Sequence, residues 1–268
     1  MTTLPPLAAE TIFHIGTFPV TNTYINSSLA VIFFLIVGFL IKRKIRDVPR
    51  GLQNLFEMLM ELMLGYFDQV TNDRKKSLKF FPLIGSLFIF ILISNWMGAI
   101  PGVGSIGLFR TSAAGTEFIP IFRSANSDLN LTLAMAVLGV VLSHIIGVMT
   151  IGVWKYFNRF IKITDSWKAL RSGKPVNIFT AFVEFGVGLI EIISEVAKLI
   201  SLPLRLFGNV FAGEVLLTVL ASLIAYVVPL PFLALELLVG LIQAGVFAML
   251  VLVYISVATM PTLEHAED

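Results

Sequence analysis

Residues 176–227 read VNIFTAFVEFGVGLIEIISEVAKLISLPLRLFGNVFAGEVLLTVLASLIAYV. A perpendicular crossing of ~30 Å of hydrocarbon takes ~20 apolar residues, and this run is roughly twice that. It is therefore two spans or one strongly inclined helix. It carries Glu184, Glu191, Glu195, Lys198, Arg205 and Glu214. A charge at the bilayer centre costs at least ~2.5–3.5 kcal/mol on insertion scales, so such residues face a protein interior or a watered path. From Glu184 the intervals to Glu191, Glu195, Lys198, Arg205 and Asn209 are 7, 4, 3, 7 and 4. That rhythm aligns side chains along one helix face and makes a single polar stripe. Glu214 lies off the stripe, about 13 Å beyond Arg205, while Glu191 lies about 21 Å before it at 1.5 Å per residue. Pro203, two residues before Arg205, is a candidate kink.

The rest of the chain has the same character. Of 268 residues 57% are hydrophobic and 13% charged, with a mean hydropathy of +0.90. Soluble domains are about half apolar and a quarter charged, so a soluble enzyme is excluded. The absence of Cys removes disulfides, Cys-based zinc sites, iron–sulfur centres and thiol nucleophiles. His14, His144 and His265 are too scattered for a histidine-rich metal box, and a net charge of +2 does not suggest a nucleic-acid partner. No metal or other cofactor is expected.

The fold class is an all-α polytopic membrane protein in one domain, with five membrane-embedded helices and one surface amphipathic helix. The first crossing is 22–41. Residues 51–72 place Phe56, Leu59, Met60, Met63 and Phe67 opposite Glu57, Glu61 and Asp68 at helical spacing, which makes a helix on the inner membrane surface. The second crossing is 80–99, residues 101–127 are an aqueous loop, and the third crossing is 129–154. Residues 176–227 and 232–258, turned at Pro229 and Pro231, form a long inclined hairpin. Orientation follows from Lys and Arg near span ends. Residues 42–79 hold nine and 155–174 hold six, against only Arg110 and Arg123 on the other side. The N-terminus is then outside and the tail with Glu264, Glu267 and Asp268 cytoplasmic.

Two readings of the stripe compete. Glu191 and Glu195 are i,i+4 and Glu195 and Lys198 are i,i+3, the spacing of structural pairing near the inner surface. The alternative is a polar path. Glu214 and Glu236 are read either as path residues or as buried, hydrogen-bonded acids. Arg205 differs, because no acid lies three or four residues from it in either direction and its guanidinium is always charged.

Leu204, Arg205, Leu206, Phe207, Gly208 and Asn209, then Ala212, Gly213 and Glu214, resemble the signature of subunit a of the F-type ATP synthase membrane sector. Three further stretches agree in order: Asn95, Trp96 and Met97 to Pro101; Asn126 to Leu133; and Leu241, Ile242, Gln243 and Ala244 through Val253 and Tyr254. The resemblance covers roughly residues 22 to 258.

The resemblance implies a non-catalytic stator channel in a bacterial plasma (inner) membrane. Its partners would be a ring of small hairpin c subunits, each with one lipid-facing carboxyl, the peripheral-stalk b subunits and the F1 ATPase sector. It implies that Arg205 faces the ring carboxylate, with Asn209 on the same stripe and Gln243 on the neighbouring helix. Glu214 matches the acid of an outer access path, with Asn95 lining the same side. Glu236 stands where some members have His, and Glu191, with Glu195 beside it, matches an inner path. The competing class is a self-contained ion-coupled secondary transporter. It would be marked by inverted repeats and interrupted helices in both halves, and neither is found in the sequence.

Overall fold

A computed structural model describes residues 6–43, 45–112, 115–161, 175–223 and 228–260. Lys44, Lys162, Lys168, Arg171 and Lys174, all part of the inner basic count, lie outside the described residues, as do His265 and the acidic tail. Among the described residues, five helices are long and apolar enough to cross a membrane. They are α1 (Asn22–Arg43), α3 (Arg74–Gly98), α4 (Leu129–Ile151), α6 (Pro175–Leu223) and α7 (Pro229–Ala258). The fold is all-α and polytopic, completed by α2 (Leu52–Thr71), α5 (Val153–Ile161) and two short β-hairpins. The chain divides into two compact units, Met1–Thr132 with Pro203–Leu250, and Leu133–Leu202 with Val251–Asp268.

In the first unit α1 is inside out by the standard of a soluble helix. Its polar Asn22, Thr23 and Asn26 are buried while Phe33, Leu35 and Ile36 are 53–63% exposed, the distribution that lipid as solvent favours. Buried polar groups need partners. Asn22 Nδ2 donates to the Pro120 carbonyl (3.3 Å), Thr23 Oγ1 to Asp128 Oδ2 (3.1 Å) and Asn26 Nδ2 to the Arg123 carbonyl (2.8 Å). Strands β1 (Thr11–Ile15) and β2 (Phe18–Thr21) form an antiparallel hairpin ahead of this helix. His14 is exposed on β1.

Helix α2 buries Met63, Leu64 and Phe67 and leaves Glu57 and Glu61 exposed, as the spacing of its apolar residues requires. It ends at Asn72, which is left-handed (φ 51°) and returns its N–H to the Asp68 carbonyl. The Asp73 carboxylate then accepts from the Lys75 N–H and caps α3, so that helix begins six residues before the apolar run does.

Residues 101–127, expected as an aqueous loop, hold ordered structure, exposed over Leu108–Arg110 and buried towards the end. Strands β3 (Gly107–Ser112) and β4 (Gly115–Pro120) pair without a register shift, from Gly107 opposite Pro120 to Ser112 opposite Gly115. A 3₁₀ turn over Ala125–Ser127 is fully buried. Arg123, at 3% exposure, and Asn126, at 0%, are buried with it. Hydropathy scores a polar side chain as wet and is blind to a partner that lets it be buried.

In the second unit α4 stops at Ile151 rather than running to 154. Gly152 has φ +96°, a conformation open to glycine and strained for other residues. The chain turns there into α5, which buries Tyr156. The described part of the doubled hydrophobic run lies in one continuous helix of 49 residues, Pro175–Leu223, with Pro203 inside it.

Candidate functional site

Within the first unit, α6 after Pro203 has two faces. Arg205, Asn209, Ala212, Leu216 and Val219, spaced by three or four residues, are exposed, whereas Leu206 and Val210 are buried. The Arg205 guanidinium has no hydrogen bond or ion pair among the described residues. An unpaired cation on an apolar helix is several kcal/mol uphill in hydrocarbon, so the charge calls for an anion or water from beyond the described residues.

One turn on, Asn209 Nδ2 donates to Gln243 Oε1 at 2.7 Å, joining α6 to α7. Gln243 is 5% exposed. Its Nε2, like Oε2 of Glu236 about two turns earlier on the same face of α7, is buried without a hydrogen-bond partner among the described residues. Glu236 approaches the backbone of α6 closely at Gly213, where a Cβ would stand 2.9 Å from its Oε1. The glycine in the Ala212–Gly213–Glu214 motif is thus a space requirement.

Glu214 is paired with Arg123. The guanidinium Nε lies 2.9 and 3.1 Å from the two carboxylate oxygens, with side-chain exposures of 1% for Arg123 and 25% for Glu214. Asn95, 6% exposed, has both ends of its amide engaged: Oδ1 accepts from Asn126 Nδ2 at 2.7 Å and Nδ2 donates to the Gly240 carbonyl at 3.0 Å. It ties α3 to the buried turn and to α7.

The second unit holds the other two predicted acids. Glu195 accepts from Lys198 Nζ at 2.6 Å and lies 3.6 Å from His144 Nε2. His144 Nδ1 is 2.6 Å from the Tyr156 hydroxyl, and Lys198 sits over the Tyr254 ring. These side chains line a cavity of about 10 Å³, near the lower limit for one water. Glu191 is half-buried one turn before Glu195. The structural pairing weighed for Glu195 and Lys198 is therefore present.

The structure brings Asn209 together with Gln243, and Glu236 against the residue preceding Glu214. Arg123, His144 and Tyr156 are the participants that sequence reasoning missed. Arg123 entered only as a charge count. His144 is the one imidazole in an otherwise uncharged apolar run, which is the signal that could have singled it out.

Residues 24–256 match the family described as ATP synthase A chain. The chain belongs to this family. ATP synthase subunit a of Moorella thermoacetica is 31% identical over 245 residues, covering 91% of this chain and 94% of its own. The subunit a of Campylobacter fetus subsp. fetus is 31% identical over 259 residues, 97% of this chain and 98% of its own. That of Syntrophobacter fumaroxidans is 34% identical over 231 residues, 86% and 79%. As a member of the ATP synthase subunit a family, the chain is a membrane-embedded, proton-translocating component of the Fo sector.

Proposed function

We propose that this chain is the non-catalytic stator channel that passes protons to and from the carboxyls of a rotating c-ring. The ring, the peripheral-stalk b subunits and the F1 sector are its partners. The N-terminus lies outside a bacterial inner membrane and the C-terminus in the cytoplasm.

The observation that carries the reading is the guanidinium of Arg205, exposed and without a partner among the described residues. A ring carboxyl crosses lipid only when protonated, because an unpaired anion in a low-dielectric medium is several kcal/mol or more uphill. It discharges where it meets a counter-ion, and Arg205 supplies one. Two offset paths then suffice if each reaches only partway. The outer path runs past the Asn95 wall to Glu214 and Glu236, and the inner past Glu191 and Glu195. The buried atoms of Glu236 and Gln243 that lack a partner among the described residues suit groups that exchange partners during turnover. Arg205 lies between the two acidic groups in the chain and repels a proton that would run directly from one path to the other. Each charge driven through 100 mV delivers ~2.3 kcal/mol, and a leak past the guanidinium would dissipate it.

The test is Arg205→Ala in the whole complex in inverted vesicles. Assembly is retained and proton-driven ATP synthesis is lost. Coupled synthesis by the variant at a measurable rate refutes the assignment.

A further inference from the structure

We propose that Arg123 is a positioning residue of the outer path, which clamps the Glu214 carboxylate from outside α6 and fixes it in one orientation. The inference rests on the reading of Glu214 as an outer-path acid. The Arg123 side chain is 1% exposed and its donors are spent in an ordered way. Nε is shared between both oxygens of Glu214, at 2.9 and 3.1 Å. Nη1 donates to the Ala8 carbonyl at 3.3 Å and Nη2 to the Pro6 carbonyl at 2.7 Å. The residue's own carbonyl accepts from Asn26 Nδ2 at 2.8 Å. The next residue, Ser124, bonds the Ser94 carbonyl through its hydroxyl.

The guanidinium is therefore located by α1, α3 and the N-terminal segment before it meets the carboxylate. A planar, multiply donating cation held this way by its two Nη groups presents one fixed Nε–H to both oxygens of the acid. Glu214 keeps 25% of its side chain exposed, so it is clamped on one side and open on the other. Glu236 has no such clamp: one oxygen is buried without a partner among the described residues. The pair divides the work between a fixed acid, Glu214, and a movable one, Glu236. Hydropathy and charge counting place Arg123 in a loop, whereas the structure spends a buried cation on one carboxylate. Breaking such a pair leaves an uncompensated charge behind, so a purely structural role has to be separated from positioning by the choice of variants.

The experiment uses the intact ATP synthase in inverted vesicles, with proton-driven synthesis expressed per assembled complex. The variants are Arg123→Lys, Arg123→Gln, Glu214→Gln and the Arg123→Gln/Glu214→Gln double. Positioning through Glu214 predicts about a tenfold loss for Arg123→Gln and a smaller but clear loss, threefold or more, for Arg123→Lys at full assembly. It also predicts that the double variant is within twofold of Glu214→Gln alone, because a clamp has nothing to act on once the carboxylate is gone. Losses that multiply in the double variant overturn the inference, as does a wild-type rate for Arg123→Lys, which keeps the buried charge and is informative even if Arg123→Gln fails to assemble. Impairment by Glu214→Gln with none by Arg123→Gln overturns the clamp alone. A wild-type rate for Glu214→Gln overturns the outer-path reading and the clamp together.

Discussion

Adding one methyl group at Gly213 separates the stability of this fold from the placement of its acids. The Cβ of Gly213→Ala would stand 2.9 Å from Glu236 Oε1, 3.1 Å from Cδ and 3.4 Å from Cγ. Comfortable carbon contacts begin at ~3.5 Å, so the carboxyl must retreat by roughly 0.5 Å or more. The atoms in the way are the free end of a flexible side chain, and no backbone has to move. Overpacking costs ~1–3 kcal/mol, and alanine recovers about 1 kcal/mol of helix propensity over glycine. The net change is small enough for the complex to assemble. A proton-exchanging group displaced by about 1 Å can lose up to ~100-fold in rate. We expect at least a tenfold fall in ATP synthesis per complex in inverted vesicles, with ATP hydrolysis by detached F1 unchanged. Glu236→Asp in the same chain, one methylene shorter, should recover part of the loss. A rate within twofold of wild type for Gly213→Ala at full assembly refutes the placement of Glu236, and so does failure to assemble.

Two further substitutions test buried polar bonds. Asn95→Leu removes two buried hydrogen bonds, one from Asn126 Nδ2, which keeps its bond to the Ile91 carbonyl, and one to the Gly240 carbonyl. At ~0.5–1.5 kcal/mol per bond it should destabilise by about 1–3 kcal/mol, read as an earlier thermal transition of the solubilised complex; an unshifted transition contradicts it. Tyr156→Phe removes the 2.6 Å bond to His144 at a cost of ~0.5–1.5 kcal/mol. Hydrogen exchange over residues 153–161 should quicken, and unchanged protection there would assign the anchoring of α5 to packing alone.

Sequence reads some of these features easily and others not at all, for physical reasons. The long apolar helices are visible because lipid demands unbroken runs of apolar residues. Arg205 stands out because no local spacing pairs it. The buried segment around Arg123 and Asn126 is illegible, since its polar residues look wet until their partners at Glu214 and Asn95 are known. Those partners lie 91 and 31 residues away, beyond any periodicity. The break after Ile151 depends on one backbone torsion at Gly152, and a glycine in an apolar run signals that only weakly. The same limit applies to Gly213, whose role is to leave room for a side chain on another helix.

The most direct measurement asks what confronts Arg205. The chain has no native cysteine, so single cysteines report cleanly. Ala212→Cys lies on the exposed face that carries Arg205, and Leu206→Cys on the buried one. Each is combined with a cysteine one turn from the carboxyl of the ring subunit and oxidised in native membranes. The account predicts a disulfide to the ring from position 212 and none from 206. Failure of position 212 to cross-link while the complex is intact, or equal cross-linking from 206, would mean that the guanidinium faces something other than a passing carboxylate.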